Sequence, residues 1–162
     1  MNAEVNLIAV SKLLSTLYIS AFLLHFVWEM WQVPFYFEMA NLGHWEAVLI
    51  CTKATIGDGL VALSAYVFAA IISEGGLFWL VNKKVEPLLA FLVGGLFLTG
   101  VLELLSTKLL DRWQYSEFMP LIPYLDVGIL PLLQWLILPP ITLWLASVFM
   151  KGLLGAQLPY CQ

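Results

Sequence analysis

His25 and Glu29 lie four residues apart in the run Leu24-His25-Phe26-Val27-Trp28-Glu29-Met30-Trp31-Gln32, inside an apolar stretch from Leu13 to Pro34. In a helix that spacing puts both side chains on one face, where an imidazole and a carboxyl can act as a proton donor and acceptor pair. The surroundings make the pair unusual. A helix of about 20 residues crosses the ~30 Å hydrocarbon core of a bilayer, and an ionisable side chain inside it is costly unless it is paired, protonated or turned to a cavity. The plainer reading of the same two residues is a buried hydrogen bond that fastens helices. Tyr18, Phe22 and Gln32 follow the helical repeat of His25 and Glu29, so the stripe is expected to line one pocket. Trp28, beside Glu29, offers a ring face to a cationic centre.

The elements that must position this pair are read from hydropathy. The chain has 162 residues, 62% of them hydrophobic and 11% charged, with a mean hydropathy of +0.92, values outside the range of an ordinary soluble domain. Apolar stretches at about 13–33, 47–72, 87–107 and 127–150 use nearly all of it. They far exceed the ~10 residues of a barrel strand. The expectation is one all-α domain, an integral membrane bundle of four transmembrane helices, with the fourth kinked or broken at Pro139-Pro140, where two backbone donors are missing.

Alternate helices run in opposite directions, so each polar residue within a span can be given a depth. Glu29 and Gln32 are late in span one, Lys53 and Asp58 in the earlier half of span two, Glu103 late in span three and Gln134 early in span four. All fall in the same half of the membrane, which implies a polar cavity there. Asp58 and Glu103 are candidates for a second carboxyl beside Glu29, and Gln134, Gln32, Tyr18, Phe22 and Trp28 for substrate contacts. Asp58 can alternatively pair with Lys53, and Glu103 with Lys108 or Arg112. The lysine and arginine distribution, above all Lys83-Lys84, favours cytoplasmic N- and C-termini, with the polar half facing outward.

Several chemistries find no support. No basic run suggests nucleic acid. Cys51 and Cys161 have neither metal nor disulfide-framework spacing. His25, Glu29, Asp58 and Glu103 are residue types found in two-metal carboxylate sites, but the paired Glu-x-x-His elements of such bundles are missing; no metal and no cofactor are expected. The N-terminal run lacks a basic region ahead of the first apolar stretch, which is expected to be retained.

At His25-Phe26-Val27-Trp28-Glu29 the sequence resembles the small integral-membrane terpene cyclases, in which an acidic residue protonates an epoxide or alkene. The His-x-x-x-Glu spacing is similar to that of the emopamil-binding-type sterol isomerase fold, where such a pair moves a proton and aromatic rings stabilise a carbocation. Each resemblance covers about a dozen of the 162 residues. The remainder, with Asp111-Arg112-Trp113-Gln114-Tyr115 and Met119-Pro120, resembles small multi-span membrane proteins of bacteria. The expectation is an intramembrane cyclase- or isomerase-type enzyme of the bacterial inner membrane, acting on an isoprenoid or sterol-like lipid. Glu29 would be the proton donor, His25 the relay, and Asp58 or Glu103 the second carboxylate. The competing expectation is an accessory subunit of a membrane complex that holds a pigment, quinone or lipid.

Overall fold

A computed structural model describes residues 3–73, 76–82 and 85–155. Lys83-Lys84 and Cys161 lie outside the described residues. Four long helices carry the fold: α1 (Ala3–Gln32), α2 (His44–Ile72), α4 (Val85–Leu104) and α5 (Ile129–Gly155). A single turn, α3 (Trp79–Asn82), precedes α4. All four long helices are long and apolar enough to cross a membrane, over Leu7–Phe35, His44–Ile72, Val85–Leu109 and Ile129–Gly152. Helix is the form these runs must take, because hydrocarbon offers no partner to an unpaired backbone group.

Most element ends follow local chemistry. Pro34 sits in the 3-10 turn that ends α1, and at the start of α2 the Glu46 carboxylate accepts the Gly43 N–H at 3.2 Å. The last part of span three is a π-helical turn, Leu105–Leu109. Beyond it a two-stranded hairpin forms from β1 (Leu121–Ile122) and β2 (Val127–Gly128). Of the expected kink or break in α5, the structure shows no break: the helix runs on through Pro139 and Pro140. The prolines leave the carbonyls of Trp135 and Leu136 without their helical donors, a loss that a helix packed between neighbours tolerates in a membrane.

The helices form a ring in which α1 packs on α2 and α5, and α4 packs on the same two. Small residues allow the close approach. Ala62, Ala65 and Ala69 of α2 are buried with Leu13, Leu17 and Ala21 of α1. At the end away from Glu29, an aromatic column fills the bundle: Tyr66, Trp79, Phe91 and Trp135 follow one another at centroid spacings of 4.9, 6.2 and 6.3 Å. The Tyr66 hydroxyl donates to the Leu77 carbonyl at 2.8 Å, which ties the α3 connection to α2. The outer surface is apolar in stripes, such as Ile19, Leu23 and Val27 on α1 and Leu89, Val93 and Phe97 on α4. Such stripes are lipid-facing surface; in water they would be one large sticky patch.

Gly95 is the tightest point of the ring, since a Cβ there would lie 2.2 Å from the buried Trp135 ring. Gly95→Ala should therefore lower stability by about 1–3 kcal/mol, the cost of overpacking a dense core, read as a lower thermal midpoint in detergent. Gly57→Ala, whose Cβ meets nothing within 4 Å, should not lower it. Equal midpoints for the two variants would contradict the packing described.

Candidate functional site

Each long helix delivers a polar side chain to the same end of the bundle. Gln134, five residues into α5, is 3% exposed, and its side-chain nitrogen is the centre of the cluster. It lies 2.7 Å from His25 Nδ1, 3.1 Å from Asp58 Oδ2 and 3.4 Å from Glu29 Oε1. Glu29 Oε1 also accepts from the Gln32 amide at 2.7 Å, and Gln32 in turn accepts the Trp28 indole N–H at 3.1 Å. His25 Nδ1 is 3.3 Å from Asp58 Oδ2. One amide with two N–H groups thus holds an imidazole and two carboxyl groups together.

Proton placement in this cluster is linked to amide orientation. With the Gln134 nitrogen facing it, His25 Nδ1 accepts, so the imidazole carries its proton on Nε2. A proton on Nδ1 would be donated to Asp58, and the Gln134 amide would then have to present its oxygen instead. His25 tautomer and Gln134 orientation are therefore linked.

A second polar group stands across the same space. Glu103 Oε2 accepts from the Tyr115 hydroxyl at 2.6 Å and from the Trp113 indole N–H at 3.3 Å. Burial, followed by the charge of Glu103, pushes the Tyr115 phenol above its ordinary range. Tyr36 is pushed well above it in the same way, by burial first and then by Glu103 and Glu29. Both phenols therefore keep their protons, and Tyr115 donates its own to Glu103.

Between the two groups lies a cavity of about 630 Å³. Glu29, Gln32, Asp58, Glu103 and Gln134 all line it, with Lys53 on the same wall. Depth, reasoned from the direction of each span, brings these residues together as the structure does. Helical phase within α1 carries less far. His25 is 1% exposed and stands behind Gln134, outside the cavity wall. Tyr18 packs on Gly59 and continues into the row Phe22 and Phe26; neither Tyr18 nor Phe22 reaches the cavity. Trp28 is turned to Gln32 and Trp31. The aromatic rings on the cavity wall are Tyr36 and Trp113 instead.

The structure also settles the pairing of the charged groups. Asp58 bonds to Gln134 and lies beside His25 rather than pairing with Lys53, and Glu103 bonds to Tyr115 and Trp113, while Lys108 pairs with Asp126 at 3.3 Å. Cys51 is buried, its thiol directed to the Glu29 carbonyl at 3.6 Å, so it fastens α2 to α1. Among the described residues no group of three or more His, Cys, Asp or Glu side chains is arranged to hold a metal ion.

The aqueous end is covered by two segments laced together. Phe37 N–H donates to the Gln114 carbonyl and Ser116 N–H to the Phe35 carbonyl, at 2.9 and 3.0 Å. The Gln114 N–H is shared by both oxygens of Glu38, at 3.0 and 3.1 Å, and the Ser116 hydroxyl donates to the Pro34 carbonyl at 3.0 Å. Tyr36, Tyr115, Trp113 and Glu38 escaped the sequence reading as site residues. They sit in loops that mix aromatic, acidic and proline residues, a composition equally suited to the membrane interface.

No family model, characterised protein or solved structure matches this chain. The site must be read from its own geometry.

The Glu38 latch yields a direct test. A hydrogen bond to a charged group contributes about 1.5–3 kcal/mol when shielded and less when exposed, as Glu38 is. Glu38→Ala should speed amide hydrogen exchange at Gln114 and its neighbours by about tenfold, with little change in α2. Unchanged exchange there would show that the latch does not hold the cap.

Proposed function

We propose that the chain is an intramembrane acid–base enzyme acting on a hydrophobic isoprenoid or sterol-like lipid, of cyclase or isomerase type. The observation that carries this reading is the pair of carboxyl groups, Glu29 and Asp58, held by one buried amide on the wall of a largely apolar cavity. Acid and base roles in one site require two carboxyl groups in different environments, one protonated and one ionised. Glu29, tied to Gln32 and Gln134, and Asp58, tied to Gln134 beside the His25 ring, have different surroundings.

In this reading Glu29 transfers its proton to an alkene or epoxide of the substrate, and the Asp58 carboxylate removes a proton from a carbon next to the cation formed. Nothing is consumed overall: one proton enters the substrate and one leaves. Tyr36 and Trp113 offer ring faces to the positive charge. His25 does not touch substrate; it positions Asp58 and Gln134 and shares in resetting the proton. Glu103, across the cavity, holds the Tyr115 and Trp113 side chains in place. The resemblance at His25-Phe26-Val27-Trp28-Glu29 supports the same chemistry, and the lysine and arginine distribution supports a bacterial inner-membrane protein with both termini cytoplasmic.

The test is turnover of isoprenoid epoxides and sterols by protein in nanodiscs, in deuterated water. Wild-type protein should place solvent deuterium in the product. Glu29→Gln should lower the rate by about 100-fold or more, the usual scale of general acid catalysis, with the thermal midpoint nearly unchanged. Undiminished turnover by a folded Glu29→Gln protein would remove the proposed acid.

A further inference from the structure

The cavity wall is uneven. Gln32, Cys51, Glu103, Pro131 and Gln134 line it and are buried, and Glu29, Val33 and Asp58 are half-buried. Between α2 and α4, residues that line the cavity are also exposed on the outer surface. Ile50 is 44% and Leu102 41% exposed, and Ala54 and Gly57 are exposed with them. Ile50, Ala54, Gly57 and Val61 follow helical spacing, so they form one stripe along α2. Helices α2 and α4 meet further along, where the Phe68 ring lies 3.5 Å from the position of a Cβ on Gly94. They part toward the polar end.

The gap lies at membrane depth. Ile50 and Gly57 are about 9 and 20 Å along α2 from its start at His44, at ~1.5 Å per residue. The cap, laced through Glu38, Gln114 and Ser116, lies across the aqueous end. Whatever reaches Glu29 and Asp58 through this gap arrives from lipid. Its chain would rest on Ile50, Ala54, Gly57 and Leu102.

Charge selects the head. Asp58 and Glu103 line the inner wall, where an anionic phosphate would face like charges, while Lys53, between Ile50 and Gly57 on α2, and Arg112 line the same cavity and disfavour an organic cation. A hydroxyl suits both carboxyl groups: it donates to the Asp58 carboxylate and accepts the proton that the acid–base reading places on Glu29. We propose that a lipid alcohol enters sideways from the bilayer between α2 and α4, with its hydroxyl at Asp58 and Glu29 and its chain in the gap. This rests on the acid–base reading of the site and adds to it the class of head group and the route of access.

The experiment is photolabelling in nanodiscs with a long-chain alcohol that carries a diazirine in its tail, compared with its phosphate monoester. Peptide mapping should place the alcohol on the Ile50 to Val61 and Thr99 to Ser106 stretches. Gly57→Trp and Leu102→Trp, which fill the gap from opposite lips, should each lower that labelling at least fivefold in protein that retains its circular dichroism and gel-filtration profile. Ile56→Trp, exposed on α2 but outside the cavity wall, should not. The phosphate ester should label less than a third as much. Labelling unaffected by both lip variants, or equal labelling by the phosphate ester, would overturn the proposal. Labelling needs no turnover, so the two readings fail separately. Labelling as described without turnover of any lipid contradicts the acid–base chemistry alone, whereas turnover insensitive to the lip variants contradicts the sideways route alone.

Discussion

A buried amide nitrogen with too many acceptors is the constraint on which this structure turns. Gln134 has two N–H groups, and His25, Asp58 and Glu29 all stand within 3.4 Å of them. In hydrocarbon none of these groups can turn to bulk water, so each must be satisfied inside the bundle. That requirement pins three helices: α1 through His25 and Glu29, α2 through Asp58 and α5 through Gln134. It also leaves the cluster short of donors, and a proton on one of the acceptors makes up the shortage. A polar knot of this kind fastens the helices, and in the acid–base reading proposed above it would also hold the proton that the chemistry uses.

The rest of the molecule makes the knot possible by separating tasks along the bundle axis. The end away from the knot is dry, filled by the column of Tyr66, Trp79, Phe91 and Trp135, and closed by small residues such as Gly95 and Ala65. Trp135 joins the two regions: it is neighbour to Gln134 in sequence, and its ring centroid is 5.9 Å from that of His25. Packing of the indole thereby limits how the imidazole can turn. At the other end, hydrogen bonds between residues 76 to 82 positions apart, such as Glu38 to Gln114 and Pro34 to Ser116, keep two connecting segments across the cavity.

The spans were legible because apolar length is dictated by the bilayer, and the common depth of Glu29, Asp58, Glu103 and Gln134 was legible because consecutive spans must reverse direction. Rotation was harder to read. Tyr18 and Phe22 share the helical repeat of Glu29, yet the crossing of α1 over Gly59 turns Tyr18 into the α1 and α2 contact. Which residue stands between two carboxyls also escaped, since any of several polar groups at that depth had the right chemistry; the choice of Gln134 depends on the rotation of α5. Pro139 and Pro140 do not break α5, because the helix is packed between neighbours, so the sequence alone left a kink and a break equally open. The partners of Glu103, Trp113 and Tyr115, follow directly on left-handed backbone at Asp111 (φ 46°), and nothing in the composition of 110–128 announces that return.

If Gln134 holds the carboxyl groups as described, its energetic effect must depend on their presence. The measurement is a double-mutant cycle for Gln134→Leu and Asp58→Leu, read as unfolding free energy in bicelles. The account predicts a coupling of about 1–3 kcal/mol, because the first substitution strands the partner that the second removes. Strict additivity, within about 0.5 kcal/mol, would mean that the two side chains are neighbours without a shared bond, and the knot would not exist.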